Sequence, residues 1–274
     1  MTDARCSAPF QIAAPAAPRT ARWERLAIVI ITLVAAATRL PALDQFPPGA
    51  SQDEVIRGYD AWCLWTSGAD FHGAVLPAYL EAFGPGDYPA ALSAYVMAPL
   101  IGWFGPSVAL IRLPVAASAV ATIVLLWWWV RREFGWVAGL AAAAVLTLSP
   151  WHVLVSRMGF EGLLTPFLVT LALVLVIRGR GVASPASMGA GGLALGAAMW
   201  NYSAPRLVLP ILGLAWLVMT IRAPRDAAVH ERSKRLWGWA LLLAGGLIGA
   251  APMIATLAAT PERVLARAGS LSVF

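Results

Sequence analysis

Two features of the chain are suited to chemistry: an adjacent pair of acids, Asp53-Glu54, and a solitary acid, Glu161. A fixed carboxylate can take a proton from a hydroxyl as a general base, and two carboxylates at one site can share a divalent ion. Asp53 opens a stretch, 54–66, in which Val55, Tyr59 and Trp62 recur at helical spacing. The pair is therefore predicted at the start of an amphipathic helix resting on a membrane surface. Two roles are open to Asp53: a helix N-cap, or a general base poised over a lipid-borne substrate. Glu161 ends a short turn, Ser156-Arg157-Met158-Gly159-Phe160-Glu161, and no other acid lies between Glu133 and Asp226. An acid at the mouth of a helix bundle is costly unless paired or used. It either bridges to Arg157 at i to i+4 spacing, or stands beside Asp53 as a metal ligand or an orienting partner for substrate.

Two further turns have the residues to bind phosphate. One is Asn201-Tyr202-Ser203-Ala204-Pro205-Arg206, and the other runs from Pro261-Glu262-Arg263 to Arg267. Arginine grips phosphate through planar paired hydrogen bonds, although each of these could equally snorkel at a membrane interface. Of the three histidines, His72 is placed to assist, while His152 suits packing and His230 suits solvent. There is no Gly-rich phosphate loop, paired-His zinc motif or Ser-nucleophile elbow.

The elements that must position these residues follow from composition. Of the 274 residues, 59% are hydrophobic and 12% are charged, too apolar for a soluble fold of this size. Apolar runs long enough to cross a bilayer fall at 26–43, 108–130, 136–153, 162–178, 188–201, 205–221 and 236–257, predicting an all-α integral membrane protein with about seven transmembrane helices. The run 88–104 carries Pro89 and Pro99 and is predicted as a helix lying in the interface. With the N-terminus inside, 13 of the 20 basic residues fall on cytoplasmic segments, the distribution expected of an inner face. Counting 88–104 as a span would invert every later loop and put the most basic one, 222–235, outside. The +6 formal charge is thus explained by topology, and no basic stripe supports a nucleic-acid partner.

Residues 1–22, rich in Ala and Pro, are predicted as a disordered cytoplasmic tail, and 23–274 as one transmembrane module with a long outer loop, 44–107, containing interfacial helices. The segment 44–87 holds seven acids, and its aromatics argue for order. The first run, with Ala35-Ala36-Ala37 near its end, has features of a signal peptide, but it continues apolar to Leu43. Cys6 and Cys63 lie on opposite sides of it, so no disulfide or metal site is expected of them.

The ordered series of residues resembles glycosyltransferase family 39, in the GT-C superfamily that includes protein O-mannosyltransferases and the lipid A aminoarabinose transferase. The resemblance is carried by Phe46-Pro47-Pro48-Gly49 before Asp53-Glu54, by Gly58-Tyr59-Asp60-Ala61, and by Asp70-Phe71-His72-Gly73 with Leu76-Pro77. Tyr88-Pro89, Phe104-Gly105-Pro106-Ser107 and Arg112-Leu113-Pro114 continue it, followed by Ser149-Pro150-Trp151-His152, Ser156-Arg157, Glu161, and Tyr202 with Arg206. It covers about residues 40–274 and implies a sugar donor linked through phosphate, or pyrophosphate, to a polyprenol. Asp53 would deprotonate an acceptor hydroxyl on a lipid, glycan or protein, with inversion at the anomeric carbon. Glu54 would shape the base's surroundings. Glu161 would take the role of the second-loop acid, which binds a divalent metal in some relatives, with Asp53 as its companion ligand. Tyr59, His72, Arg157, Tyr202, Arg206 and Arg267 are the candidate substrate and phosphate contacts. The family's enzymes normally continue through several more spans, so a partner chain supplying the missing helices is a further expectation.

Three classes of function compete. A plasma-membrane glycosyltransferase with its catalytic loop on the outer or periplasmic face needs Asp53. A truncated, non-catalytic subunit of the same fold does not. A transporter would need ionisable residues at mid-span and paired broken helices, which these runs do not offer.

Overall fold

The computed structural model describes residues 19–82, 84, 86–182, 184–222 and 229–270, with side chains outside the description at 19–21, 180–182, 215–222, 229–235 and 266–270. Residues 1–18 of the expected tail lie outside it, as does Cys6.

Eleven α-helices are found among the described residues. They are α1 (Arg19–Arg39), α2 (Gln52–Ser67), α3 (Leu92–Phe104), α4 (Val108–Phe134), α5 (Trp136–Leu148), α6 (Pro150–Ser156), α7 (Leu164–Val182), α8 (Pro185–Asn201), α9 (Ser203–Arg222), α10 (Val229–Ala259) and α11 (Pro261–Ser270). A single 3-10 turn, Glu161–Leu163, precedes α7. The chain is all-α, and every predicted apolar run is helical.

Three of these segments are long and apolar enough to cross a membrane: Val108–Phe134, Glu161–Gly179 and Leu236–Ala259. The predicted run 136–153 is two helices bent by 61° at Ser149-Pro150, and as one broken span it makes a fourth. The bend has a local cause. Pro150 has no amide hydrogen to continue α5, and the Ser149 hydroxyl accepts the His152 N–H to start α6. The predicted runs 26–43 and 188–201 are helical but do not meet the same measure of length and hydropathy, and the run 205–221 lies on α9, whose side chains are described only to Leu214. α1 opens with Arg19, Arg22, Glu24 and Arg25, and α8 is a 17-residue helix diluted by glycines.

The segment predicted at the interface forms α3, 13 residues long and too short to span. It starts at Leu92 rather than 88 because residues before it turn back on the loop, where Tyr79 and Ala90 form an antiparallel bridge. Met97 and Ile101 of α3, Leu64 of α2 and Ile111 of α4 share one buried cluster. This cluster seats α2 beside the mouth of α4.

α2 exposes two of the three residues whose spacing announced it, and Trp62 packs against the buried cluster instead. Val55 and Tyr59 are outward, while Glu54, Arg57, Gly58, Asp60, Ala61 and Leu64 are buried. Gly58 is required by packing, since a Cβ there would overlap the Ile111 side chain.

Candidate active site

The start of α2 is built by Ser51. Its hydroxyl accepts the Glu54 N–H at 3.3 Å, and Glu54 Oε2 accepts the Ser51 N–H at 2.8 Å. This reciprocal pair satisfies two amides at the helix start. Ser51, not Asp53, is therefore the N-cap, and that alternative for Asp53 is corrected. Asp53 lies in the first turn with its side chain exposed, directly beside the anchored and buried Glu54.

Glu54 is 2% exposed and accepts four hydrogen bonds. Two come from Arg112, Nε to Oε1 at 2.6 Å and Nη2 to Oε2 at 3.1 Å. The others come from the N–H groups of Ser51 and, at 2.8 Å, Gly159. Burial pushes the Glu54 carboxyl up, but Arg112 and the two amides outweigh it and hold the group below the ordinary glutamate value. Arg112 completes its own valence on the carbonyls of Leu43 (2.8 Å), Pro47 (2.9 Å) and Gly49 (2.5 Å). All five of its N–H donors are thus placed. One arginine from α4 ties the incoming loop and the first turn of α2 together.

The second acid joins the same junction through a different arginine. Arg57 Nη2 lies 2.7 Å from Glu161 Oε2, both side chains are nearly inaccessible, and Arg57 Nη1 donates to the Gly159 carbonyl at 3.3 Å. Gly159 therefore bonds one acid, Glu54, and the partner of the other, Arg57, and a Cβ at this position would crowd Ile111 and Glu54. The predicted i to i+4 bridge between Arg157 and Glu161 does not form. Arg157 instead donates to the carbonyls of Thr38, Pro41, Ala42 and Phe46, pinning the turn after α1. The reason is geometric: the turn ends in a 3-10 segment, so the two side chains do not share an α-helical face.

The other candidates are more dispersed. Tyr59 and His72 are exposed around the ring of Phe71, at 5.8 Å and 4.2 Å between centroids. Tyr202 meets the edge of Phe160 at 5.9 Å. Arg206 donates to the carbonyls of Met199 and Val264 and to the Tyr79 hydroxyl, and lies over the Tyr79 ring. The side chain of Arg267, on α11, lies outside the described residues. A narrow cleft brings Glu161, Tyr202 and Arg206 together with Tyr88, Asn201 and Arg263. Beside it, a hollow of about 320 Å³ is lined by Asp70, His72, Tyr79, Glu81 and Arg263.

The donor set offered for a divalent ion, Asp53 with Glu161, does not fit one in this arrangement. Glu161 is turned to Arg57, Asp53 faces outward, and no group of three acids, cysteines or histidines gathers among the described residues. No chemical step is therefore assigned to a metal.

Spacing alone missed Arg57, Arg112, Asp60 and Asn201. A signal existed for Arg112, because an arginine inside an apolar run must find internal partners. Asp60 is wholly buried, accepts the Phe71 N–H at 3.0 Å through Oδ1, and leaves Oδ2 without a partner among the described residues. Burial raises its carboxyl above the ordinary aspartate value.

No sequence-family profile matches the chain, and no curated protein matches it. Among solved structures, the chain matches ArnT from Cupriavidus metallidurans bound to undecaprenyl phosphate, with a TM-score of 0.57 and 20% identity. The match covers 90% of this chain and 43% of ArnT. The chain has the ArnT fold. Its all-α architecture, with helices long and apolar enough to cross a membrane, agrees with the integral membrane fold class read from the sequence. The chain spans less than half the length of that structure.

Proposed function

We propose that this chain is the membrane module of a glycosyltransferase that moves a sugar from a polyprenyl-phosphate or pyrophosphate carrier to an acceptor hydroxyl. The observation that carries the proposal is the fold shared with a protein crystallised with undecaprenyl phosphate. The candidate site supplies its chemistry. Asp53 is an exposed carboxylate on the first turn of a helix whose start is fixed by Ser51, Glu54 and Arg112. A base that is open to substrate and anchored through its neighbour is well placed for proton abstraction.

In the proposed reaction the acceptor O–H gives its proton to Asp53. The oxygen forms a bond to the anomeric carbon, the bond from that carbon to the phosphate oxygen breaks, and the lipid phosphate leaves with the electron pair, inverting the centre. Glu54 and Glu161 are positioning residues, since both are buried on arginines. The chain would lie in the plasma membrane, N-terminus inside and α2 outside, serving glycosylation of the cell envelope.

Asp53→Asn is expected to abolish transfer of label from radiolabelled polyprenyl-phosphate sugars in membranes, leaving the melting temperature unchanged. Native-like transfer by that variant would remove the base assignment.

A second reading, a non-catalytic subunit working with a partner chain, draws on one observation. Arg157 and Arg206, two of the candidate phosphate contacts, already hold protein carbonyls. Absence of transfer by native and variant chains alike would favour it.

A further inference from the structure

Asn201 is the last residue of α8, is 1% exposed, and is not needed by the mechanism above. Its Nδ2 donates to the Glu161 carbonyl at 2.8 Å and to Thr165 Oγ1 at 3.1 Å. The Glu161 carbonyl can only accept, so this pairing fixes the amide's orientation and turns Oδ1 the other way. Oδ1 is buried and has no partner among the described residues. A buried amide oxygen left without a donor calls for one from outside the chain. Asn201 lines the narrow cleft, together with Tyr88, Glu161, Tyr202, Arg206 and Arg263.

We propose that this cleft reads one hydroxyl of the sugar being transferred, and that Asn201 is the specificity-determining residue that accepts its hydrogen bond. The proposal rests on the glycosyltransferase reading and deepens it. The group at this point must donate a hydrogen bond, which a deoxy position cannot do.

The group is also a hydroxyl rather than an ammonium. Glu161, the acid of the cleft, already has Arg57 at 2.7 Å. The cations Arg206 and Arg263 line the same cleft, Arg263 lying over the Tyr88 ring at 5.4 Å. A charged amine placed here would meet two guanidiniums and a carboxylate already balanced. The cleft is too narrow for a whole ring. Arg263 also lines the adjoining hollow of about 320 Å³, which has room for the rest of the sugar. A site built to pair with a hydroxyl rejects the analogue lacking it far more strongly than an apolar pocket rejects a methylene.

The test is binding to the full chain in nanodiscs, in an Asp53→Asn background so that turnover plays no part. Undecaprenyl phosphate is compared with the same carrier bearing glucose, mannose, galactose or arabinose, using intrinsic tryptophan fluorescence. At least one sugar should bind more tightly than the bare carrier. Among deoxy and amino analogues of that sugar, one position should lose roughly tenfold or more on either replacement. Asn201→Ala should flatten the deoxy penalty. Should that variant fold poorly, Thr165→Val, which removes one of the two groups orienting the amide, should reduce the penalty several-fold. Arg263→Gln should relieve the amino penalty and leave the deoxy penalty in place. The proposal falls if no sugar adds affinity over the bare carrier, if no single position matters by more than twofold, or if the Asn201 and Thr165 variants both discriminate as the parent does. Native-like transfer by Asp53→Asn with this discrimination intact would overturn the base assignment alone, and absence of transfer by the native chain with no sugar adding affinity would overturn the glycosyltransferase reading as well.

Discussion

Two seams hold this molecule together by opposite means. Between α8 and α10 the contact is made by glycines. A methyl group on Gly192 would overlap the Leu242 carbonyl, one on Gly196 the Gly246 carbonyl, and one on Gly249 the Leu193 carbonyl. Where α4 meets α2 and the turn before α7, the contact is made by buried charges: Glu54 on Arg112, and Arg57 on Glu161. Between apolar helices in lipid there is little hydrophobic drive to associate, so close backbone approach and dispersion supply the attraction. At the mouth of the bundle, the loop has carbonyls and turns that need donors, and arginines answer several at once. The first seam tolerates no added volume, and the second tolerates no lost partner.

The largest stability loss is expected from breaking the charged seam. Arg112→Met strands Glu54 in a buried site and leaves the carbonyls of Leu43, Pro47 and Gly49 without that donor. Removing one partner of a buried pair costs on the order of 3–5 kcal/mol. Size-exclusion profiles and melting in detergent should show a poorly folded chain, and a second change, Glu54→Gln, should recover part of the loss. Native-like melting of the single variant would mean the seam is held some other way.

Gly196→Ala should come next, at about 1–3 kcal/mol, because the backbones must part to admit the methyl. Gly213 on α9 has nothing within 4 Å of where a Cβ would stand. Gly213→Ala is therefore the control, and it should hold or raise stability by about 0.5–1 kcal/mol. Equal effects at the two positions would contradict the glycine seam.

Acid should act on the charged seam. The Glu54 carboxyl is held below its ordinary value in the folded chain, so its stabilisation is complete above that ordinary value and is lost as pH falls through the folded one. Melting temperature followed into acid should drop more steeply in the native chain than in Glu54→Gln. Parallel curves would show that Glu54 does not carry the acid response.

The smallest effect has the opposite sign. Asp60 titrates above its ordinary value, so its contribution is greatest in acid and is lost as pH rises through the folded value. Asp60→Asn should raise the melting temperature slightly at neutral pH, since the amide oxygen can still accept the Phe71 N–H. A clear drop would show that the ionised carboxylate is needed.

Much of the scaffold was legible before any coordinates. Hydropathy located α1, α4, α7, α8, α9 and α10, and α5 with α6 as one run, and the Val55, Tyr59, Trp62 spacing located α2 to within a few residues. The prolines of 88–104 correctly marked a short helix, α3. The break at Ser149-Pro150 escaped because a continuous apolar run says nothing of direction, although proline after serine was a signal in plain view. The cap at Ser51 could have been found from Ser51 with Glu54 three residues on, a pattern overshadowed by the acid pair. The partners of the acids were not legible. Arg57 is 104 positions from Glu161, and Arg112 is 58 from Glu54.

The sequence by itself determined that this chain is helical and lies in a membrane, because apolar length and the spacing of side chains are local properties that lipid rewards directly. The tertiary structure alone decided which acid stays open and which are buried. The capping box with Ser51 already turns Glu54 toward the helix start, but only the approach of Arg112 and Gly159 from distant parts of the chain buries it as an anchor, while Asp53 beside it stays exposed.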